Sequence, residues 1–175
     1  MVKPLILIIA AIPILLAILI AIPMLANPQI PFSATNSDDR ISFELTKYHL
    51  KKTSFGLTDR LTPIKSEILT ISNDGNTKYL VTSGESPYEQ TLTLEKSQIK
   101  KLTALIKETG FIKIPIDSIP VNENVTDYTK FSLKVILNGN IKQIQWVEKN
   151  ATSAFIPPII TMVESELENV IEKFQ

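Results

Sequence analysis

Residues 128–147 read YTKFSLKVILNGNIKQIQWV, two alternating runs joined by Asn138-Gly139. Asn-Gly between such runs favours a two-residue type I′ turn, because both turn positions need φ > 0 and these residues reach it at least cost. That turn sets Leu137 against Asn140. Counting outward sets Val135 against Lys142, Leu133 against Ile144 and Phe131 against Trp146. The four pairs share one mostly apolar face, and the other face carries Ser132–Gln145, Lys134–Gln143 and, near the turn, Ile136–Ile141. A slip of one residue would mix the two sets. The stretch is therefore predicted to be a β-hairpin with Trp146 turned into the core.

On either side of it lie two segments of helical period. Pro158 to Phe174 places Ile160, Val163, Leu167, Val170, Ile171 and Phe174 on one stripe, with Glu164, Glu166 and Glu168 on the outer face. Lys96 to Thr109 places Ile99, Leu102, Leu105 and Ile106 on one stripe, carries Lys96, Lys100, Lys101 and Lys107, and meets Gly110 as a left-handed cap. Side by side on one sheet face, the two helices would set lysines against glutamates, Lys101 opposite Glu164. Phe111–Pro115 should then run extended.

Upstream, Ile41, Phe43 and Leu45 alternate with Ser42, Glu44 and Thr46, the period of a half-buried strand. Residues 51–63, KKTSFGLTDRLTP, read as a loop. Glu67–Ser72 and Thr77–Thr82 flank Asn73-Asp74-Gly75 as a hairpin whose loop is two or three residues long. Glu89–Leu94 is a further short strand. The order predicts an α+β domain, a mainly antiparallel sheet with two helices packed on one face.

The N-terminus is of another kind. Residues 5–26, LILIIAAIPILLAILIAIPMLA, contain no charged side chain. About 22 residues at 1.5 Å each span roughly 33 Å, against a hydrocarbon core of about 30 Å. Residues 1–26 are thus expected to be a transmembrane signal-anchor in the lipid bilayer. Residues 27–40, mixing Pro, Ser, Asn and Asp, form a flexible linker, and 41–175 the domain. Lys3 precedes the span and Asp38, Asp39 and Arg40 are the first charges after it, which places the N-terminus in the cytoplasm and the domain outside the cell membrane. Cleavage after Ala26, releasing a soluble exported protein, is the alternative, with bulky Met24 against it.

Composition excludes several classes. The 18 basic and 18 acidic residues cancel without a basic cluster, so no nucleic-acid partner is expected. There is no cysteine, hence no disulfide, no thiolate chemistry and no Cys metal site. The one histidine, His49, has no Gly-x-Ser-x-Gly elbow and no second His to work with, and reads as a surface or edge-strand residue. No phosphate-cradling loop exists among five glycines, and no cofactor is implied.

Four weaker features remain. Asp117–Asp127, reading DSIPVNENVTD, offers Asp117, Glu123 and Asp127 as candidate oxygen ligands for calcium, or as carboxylates for an envelope hydrolase, at a spacing unlike an EF-hand. Glu164 and Glu168 could share a helix face as another carboxylate pair. Asn124-Val125-Thr126 and Asn150-Ala151-Thr152 are candidate glycosylation sequons. Lys51-Lys52-Thr53-Ser54-Phe55-Gly56-Leu57 is basic with an apolar tip at Phe55 and Leu57, a candidate interaction loop toward lipid headgroups or a neighbouring subunit.

Ile68–Tyr79 with its Asn73-Asp74-Gly75 turn, Leu94–Phe111 ending in Gly-Phe, and Asp127-Tyr128 leading into a hairpin and final helix resemble the uncharacterised small extracytoplasmic α+β domains of bacterial lipoproteins and archaeal membrane-anchored proteins. Those domains often carry a Cys pair near the first hairpin, which this chain lacks. The resemblance implies an extracytoplasmic module and transfers no catalytic residue. With no catalytic constellation in view, the expected function is a binding or accessory module, a subunit of a membrane complex among its candidate settings.

Overall fold

The computed structural model describes residues 35–56, 58–84 and 86–174. The expected span and residues 27–34 of the linker lie outside them. Among the described residues no helix is long and apolar enough to cross a membrane. Six strands form one antiparallel sheet: β1 Ile41–Phe55, β2 Thr58–Ile71, β3 Asn76–Ser83, β4 Ser86–Thr93, β5 Asp127–Leu137 and β6 Asn140–Val147, in the spatial order β4-β3-β2-β1-β5-β6. Two helices, α1 Lys96–Glu108 and α2 Pro158–Ile171, complete an α+β fold.

The β5–β6 register follows from the turn. Leu137 faces Asn140, Leu133 faces Ile144, and Phe131 faces Trp146, whose ring it stacks upon at 5.3 Å between centroids. Asn138 and Gly139 both hold positive φ, at 51° and 82°. β1 lies between β2 and β5. Its inward residues Ile41, Phe43 and Leu45 continue the buried face through Leu69 and Ile71 on one side and Leu133 and Val135 on the other. Leu102, Leu105 and Ile106 of α1 and Ile160, Val163 and Leu167 of α2 are buried with them, as apolar area removed from water requires. The opposite sheet face is open at Glu44, Tyr48 and Ile141, which are exposed, and is covered around Tyr128 and Val147.

The Asn73-Asp74-Gly75 hairpin resolves to a three-residue loop. Ser72 N–H donates to Asn76 O at 2.9 Å, Gly75 N–H donates to Ser72 O at 2.9 Å, and Gly75 takes φ +89°. That is the geometry of a type I turn closed by a left-handed residue. The chain arrives beside both turns: Arg40 N–H donates to Asn138 Oδ1 and Ile41 N–H to Asn73 Oδ1. Asp39 is held by Lys107 and Asn138, each at 2.8 Å.

Three expectations are corrected. Residues 51–63 are not a loop, because β1 and β2 stay paired as far as Phe55 and Thr58. Lys51, Lys52, Thr53, Arg60 and Leu61 are all exposed, so the alternation that marks a half-buried strand is missing from them, and Pro63 is tolerated because β2 has no β3 partner beyond Ser66. Phe111–Lys113 forms a 3₁₀ turn, not an extended run, after Gly110 at φ +66° drives Phe111 into the core. Lys101 pairs with Glu166 at 2.8 Å and not with Glu164. Glu164 stands one turn from Ile160 and three residues before Leu167, on the border of the buried stripe, and turns inward to accept the Trp146 Nε1–H.

A Cβ on Gly75 would lie 2.6 Å from Leu94 O, whereas one on Gly139 meets nothing within 4 Å. Both positions penalise an L side chain by about 1 kcal/mol for the left-handed backbone. Gly139→Ala is predicted to cost about that much, and Gly75→Ala roughly 2–3 kcal/mol because Leu94 must also move. Equal losses in denaturant midpoint for the full chain in mild detergent would remove the close approach as a constraint.

Candidate functional site

β1 keeps a β5 partner as far as Lys51, opposite Asp127, and β2 keeps a β3 partner only from Ser66. Beyond those points Lys52–Phe55 pairs with Thr58–Leu61 alone, four residue pairs extending about 13 Å. A two-stranded ribbon is marginal by itself in water. Here its strands are tied by the Thr53–Thr62 hydroxyl contact at 3.0 Å and by Thr62 Oγ1–H donating to Lys51 O at 3.2 Å. Lys51, Lys52 and Arg60 are exposed, and so are two aliphatic side chains, Leu61 (47 %) and Ile64 (53 %). Ile64 is the extra residue of a bulge, since His49 pairs with Lys65 and Leu50 with Pro63. The side chain of Phe55 and all of Leu57, the expected apolar tip, lie outside the described residues.

The acidic loop comes to the same corner. Lys52 N–H donates to Thr126 O at 2.6 Å, so segments read separately in the sequence touch at the root of the ribbon. The loop is fixed from the other side. Asn122 N–H donates to Ala151 O, Thr152 Oγ1–H to Pro120 O, and Ser153 to Asn122 Oδ1 through both its N–H and its hydroxyl. Tyr128, Val147 and Ala151 form a small second core beneath it with Leu50, Val121 and Val125. Between ribbon and loop runs a groove of about 320 Å³, with Lys52, Arg60 and Leu61 on one wall and Val121, Glu123 and Tyr128 on the other.

The candidate calcium ligands are not gathered. Asp117 accepts Lys142 Nζ at 2.6 Å beside β6, Asp127 sits across from Lys51, and Glu123 lines the groove. Among the described residues no three His, Cys, Asp or Glu are placed to hold a metal ion. Asn124 and Asn150, the sequon residues, are both exposed.

Under the ribbon's root lies a polar cluster that the sequence pattern did not single out. Glu67 is nearly buried, yet it accepts from Tyr79 Oη and meets Lys65 at 2.7 Å, His49 Nε2 at 3.3 Å and Lys47 at 3.8 Å. His49 is no edge residue: it sits in a central strand, with Nδ1 3.1 Å from Thr129 Oγ1. Lys47 also reaches Glu168 on α2 at 2.6 Å. The cluster thus joins β1, β2, β3, β5 and α2 at the level of the bulge. One signal could have found it, a charge at the inward position of the series Glu67-x-Leu69-x-Ile71.

The Thr129–His49–Glu67 line has the composition of a hydroxyl–imidazole–carboxylate relay, but its carboxylate is spent on cations. Burial would raise the Glu67 carboxyl; hydrogen bonds from Lys65 and Tyr79 and the fields of Lys47 and Lys65 outweigh it and hold the group at about 2. Tyr79 is pushed well above its ordinary value by burial and by Glu67. Glu164 is raised, first by burial and then by Glu168, against the Trp146 hydrogen bond.

Two expectations on stability follow. A carboxyl lowered from 4.5 to about 2 on folding stabilises the native state above its unfolded value and stops doing so as pH falls through that window. Glu67→Gln should therefore cost on the order of 2–3 kcal/mol at pH 7, and the difference from wild type should close between about pH 4.5 and 2. An unchanged difference at pH 2.5 would refute the assignment. Glu164→Gln keeps an acceptor for Trp146 and removes a charge whose ionised form folding disfavours, so it should raise Tm at pH 7, with a gain that shrinks toward acid pH. A lower Tm at pH 7 would count against it.

The chain matches no family model and none of the curated proteins.

Proposed function

We propose that the chain is a single-pass, membrane-anchored extracytoplasmic module that binds a protein partner, as an accessory subunit of a membrane complex, through the ribbon and groove at Lys51–Leu61 and Val121–Tyr128. The observation that carries this reading is the ribbon. A strand pair standing clear of its sheet exposes Leu61 beside Lys52 and Arg60, and Lys51 and Ile64 are exposed at its root. Such a surface adds no core to its own domain and offers an apolar centre with a charged rim to another chain. The uncharged stretch 5–26 behind Lys3 supports anchoring with the domain outside, and the resemblance to extracytoplasmic domains supports the same compartment.

The test is purification of the tagged full chain from membranes in mild detergent, with every co-eluting polypeptide identified and the mass of the chain itself measured. A stoichiometric membrane protein is expected with the wild type and with Ile141→Glu, a control on the open sheet face. Its recovery is expected to fall by roughly tenfold with Leu61→Glu, as loss of one interface anchor does. A chain recovered alone from the membrane, or a partner held equally by Leu61→Glu, overturns the reading. A mature mass starting near residue 27 replaces the anchor by a released protein.

A further inference from the structure

The two edges of the sheet are treated differently. β6 is met by backbone at Gln145, whose N–H donates to Asp117 O at 2.9 Å and whose O accepts from Ile119 N–H at 2.8 Å, a short parallel bridge across the middle of that edge. The outer edge of β4, eight residues from Ser86 to Thr93, has no backbone partner among the described residues. Natural edges are blunted by charge, proline or brevity. β4 has Pro87 near its start and one charge, Glu89, which Lys78 of its own sheet already meets at 2.8 Å. The middle of the strand, Gln90-Thr91-Leu92, is uncharged, and Tyr88 beside it is 56 % exposed.

We propose that β4 pairs with β4 of a second copy of this chain, antiparallel about a two-fold axis through Gln90, so that two sheets become one. Backbone groups that point out of an antiparallel edge alternate along the strand, so facing residues must share parity and the axis must pass through a residue. Centred on Glu89, the pairing would bring two carboxylates face to face, which destabilises a ladder. Centring on Tyr88 or Thr91 shortens the overlap. Centred on Gln90, the overlap runs from Pro87 to Thr93. Gln90, whose Nε2 donates to Tyr88 Oη of its own strand, then faces its own copy without charge and with its amide oxygen as acceptor, Tyr88 faces Leu92, and Glu89 faces Thr91. Each of the last two contacts occurs twice by symmetry.

The absence of native cysteine makes the register directly readable. The full chain is expressed in membranes as Glu89→Cys, Gln90→Cys or Thr91→Cys and oxidised. Facing Cα atoms about 4.5–5.5 Å apart lie within the disulfide range of about 4.4–6.8 Å. A disulfide-linked dimer is expected with Gln90→Cys at roughly fivefold the yield of either neighbour, because only the axial residue meets itself. Co-expressed, differently tagged Tyr88→Cys and Leu92→Cys chains should cross-link to each other. Gln90→Lys, at a half-buried position of the same edge, should stay folded and weaken dimerisation of the full chain in detergent by about tenfold through facing like charges. Equal cross-linking at all three positions, none at 90, or a Gln90→Cys adduct with a different polypeptide overturns the proposal, the last by giving the edge to another chain.

Discussion

A carboxylate taken almost out of water has to be met by cations and donors, and Glu67 is met by Lys65, Lys47, His49 and Tyr79. Losing one partner from such a group leaves the desolvation cost in place while removing part of what offsets it. The cluster therefore does more than balance charge. It fixes β1, β2 and β3 to one another, and through Lys47–Glu168 it fixes them to α2, at the level where apolar packing stops. Above it, Leu45, Leu69 and Leu133 continue the core; below it, the bulge at Ile64 sends the strands out as a ribbon.

That division explains why the ribbon can hold its direction. An isolated strand pair has no layer to bury against and would fray. Here one root residue pair, His49 and Lys65, belongs to the cluster, and the other side is braced by Thr126 accepting from Lys52. The small core of Tyr128, Val147 and Ala151 sits on the sheet face opposite the helices and carries the loop that does the bracing. Order at the groove is thus imposed from two directions, by charge on the helix side and by apolar packing on the other. A preformed groove loses less conformational entropy when a partner arrives.

Much of the fold was legible because it is written in local periodicities. The β5–β6 register is dictated by Asn138-Gly139 and by alternation that agrees with it. Both helices show continuous stripes, and Gly110 marks a left-handed end. What stayed hidden is what local pattern cannot encode. Among the described residues of 51–63 no side chain is buried, so the strands there show no period of two. Glu164 reads as solvated by residue type, but its angle on the helix puts it at the border of the stripe, beside Trp146. The meeting of the Lys51–Lys52 segment with Thr126 and Asp127 depends on β1 pairing with β5, a long-range choice that neither segment states alone. The sequence marked both segments for notice and had no means of bringing them together.

The placement of charge along β1 shows how one strand can serve fold and surface in turn. Its inward residues run Ile41, Phe43, Leu45, Lys47, His49, apolar where helices cover the sheet and cationic where Glu67 must be answered. After the bulge the same strand carries Lys51 and Lys52 into solvent. A strand that stayed apolar to its end would bury no more area, since no helix lies over the ribbon, and would leave Glu67 without Lys47 and His49. A strand polar throughout would lose the core. The gradient from aliphatic to cationic residues is therefore required by the geometry at each end, and the functional corner begins where the last inward cation has been used.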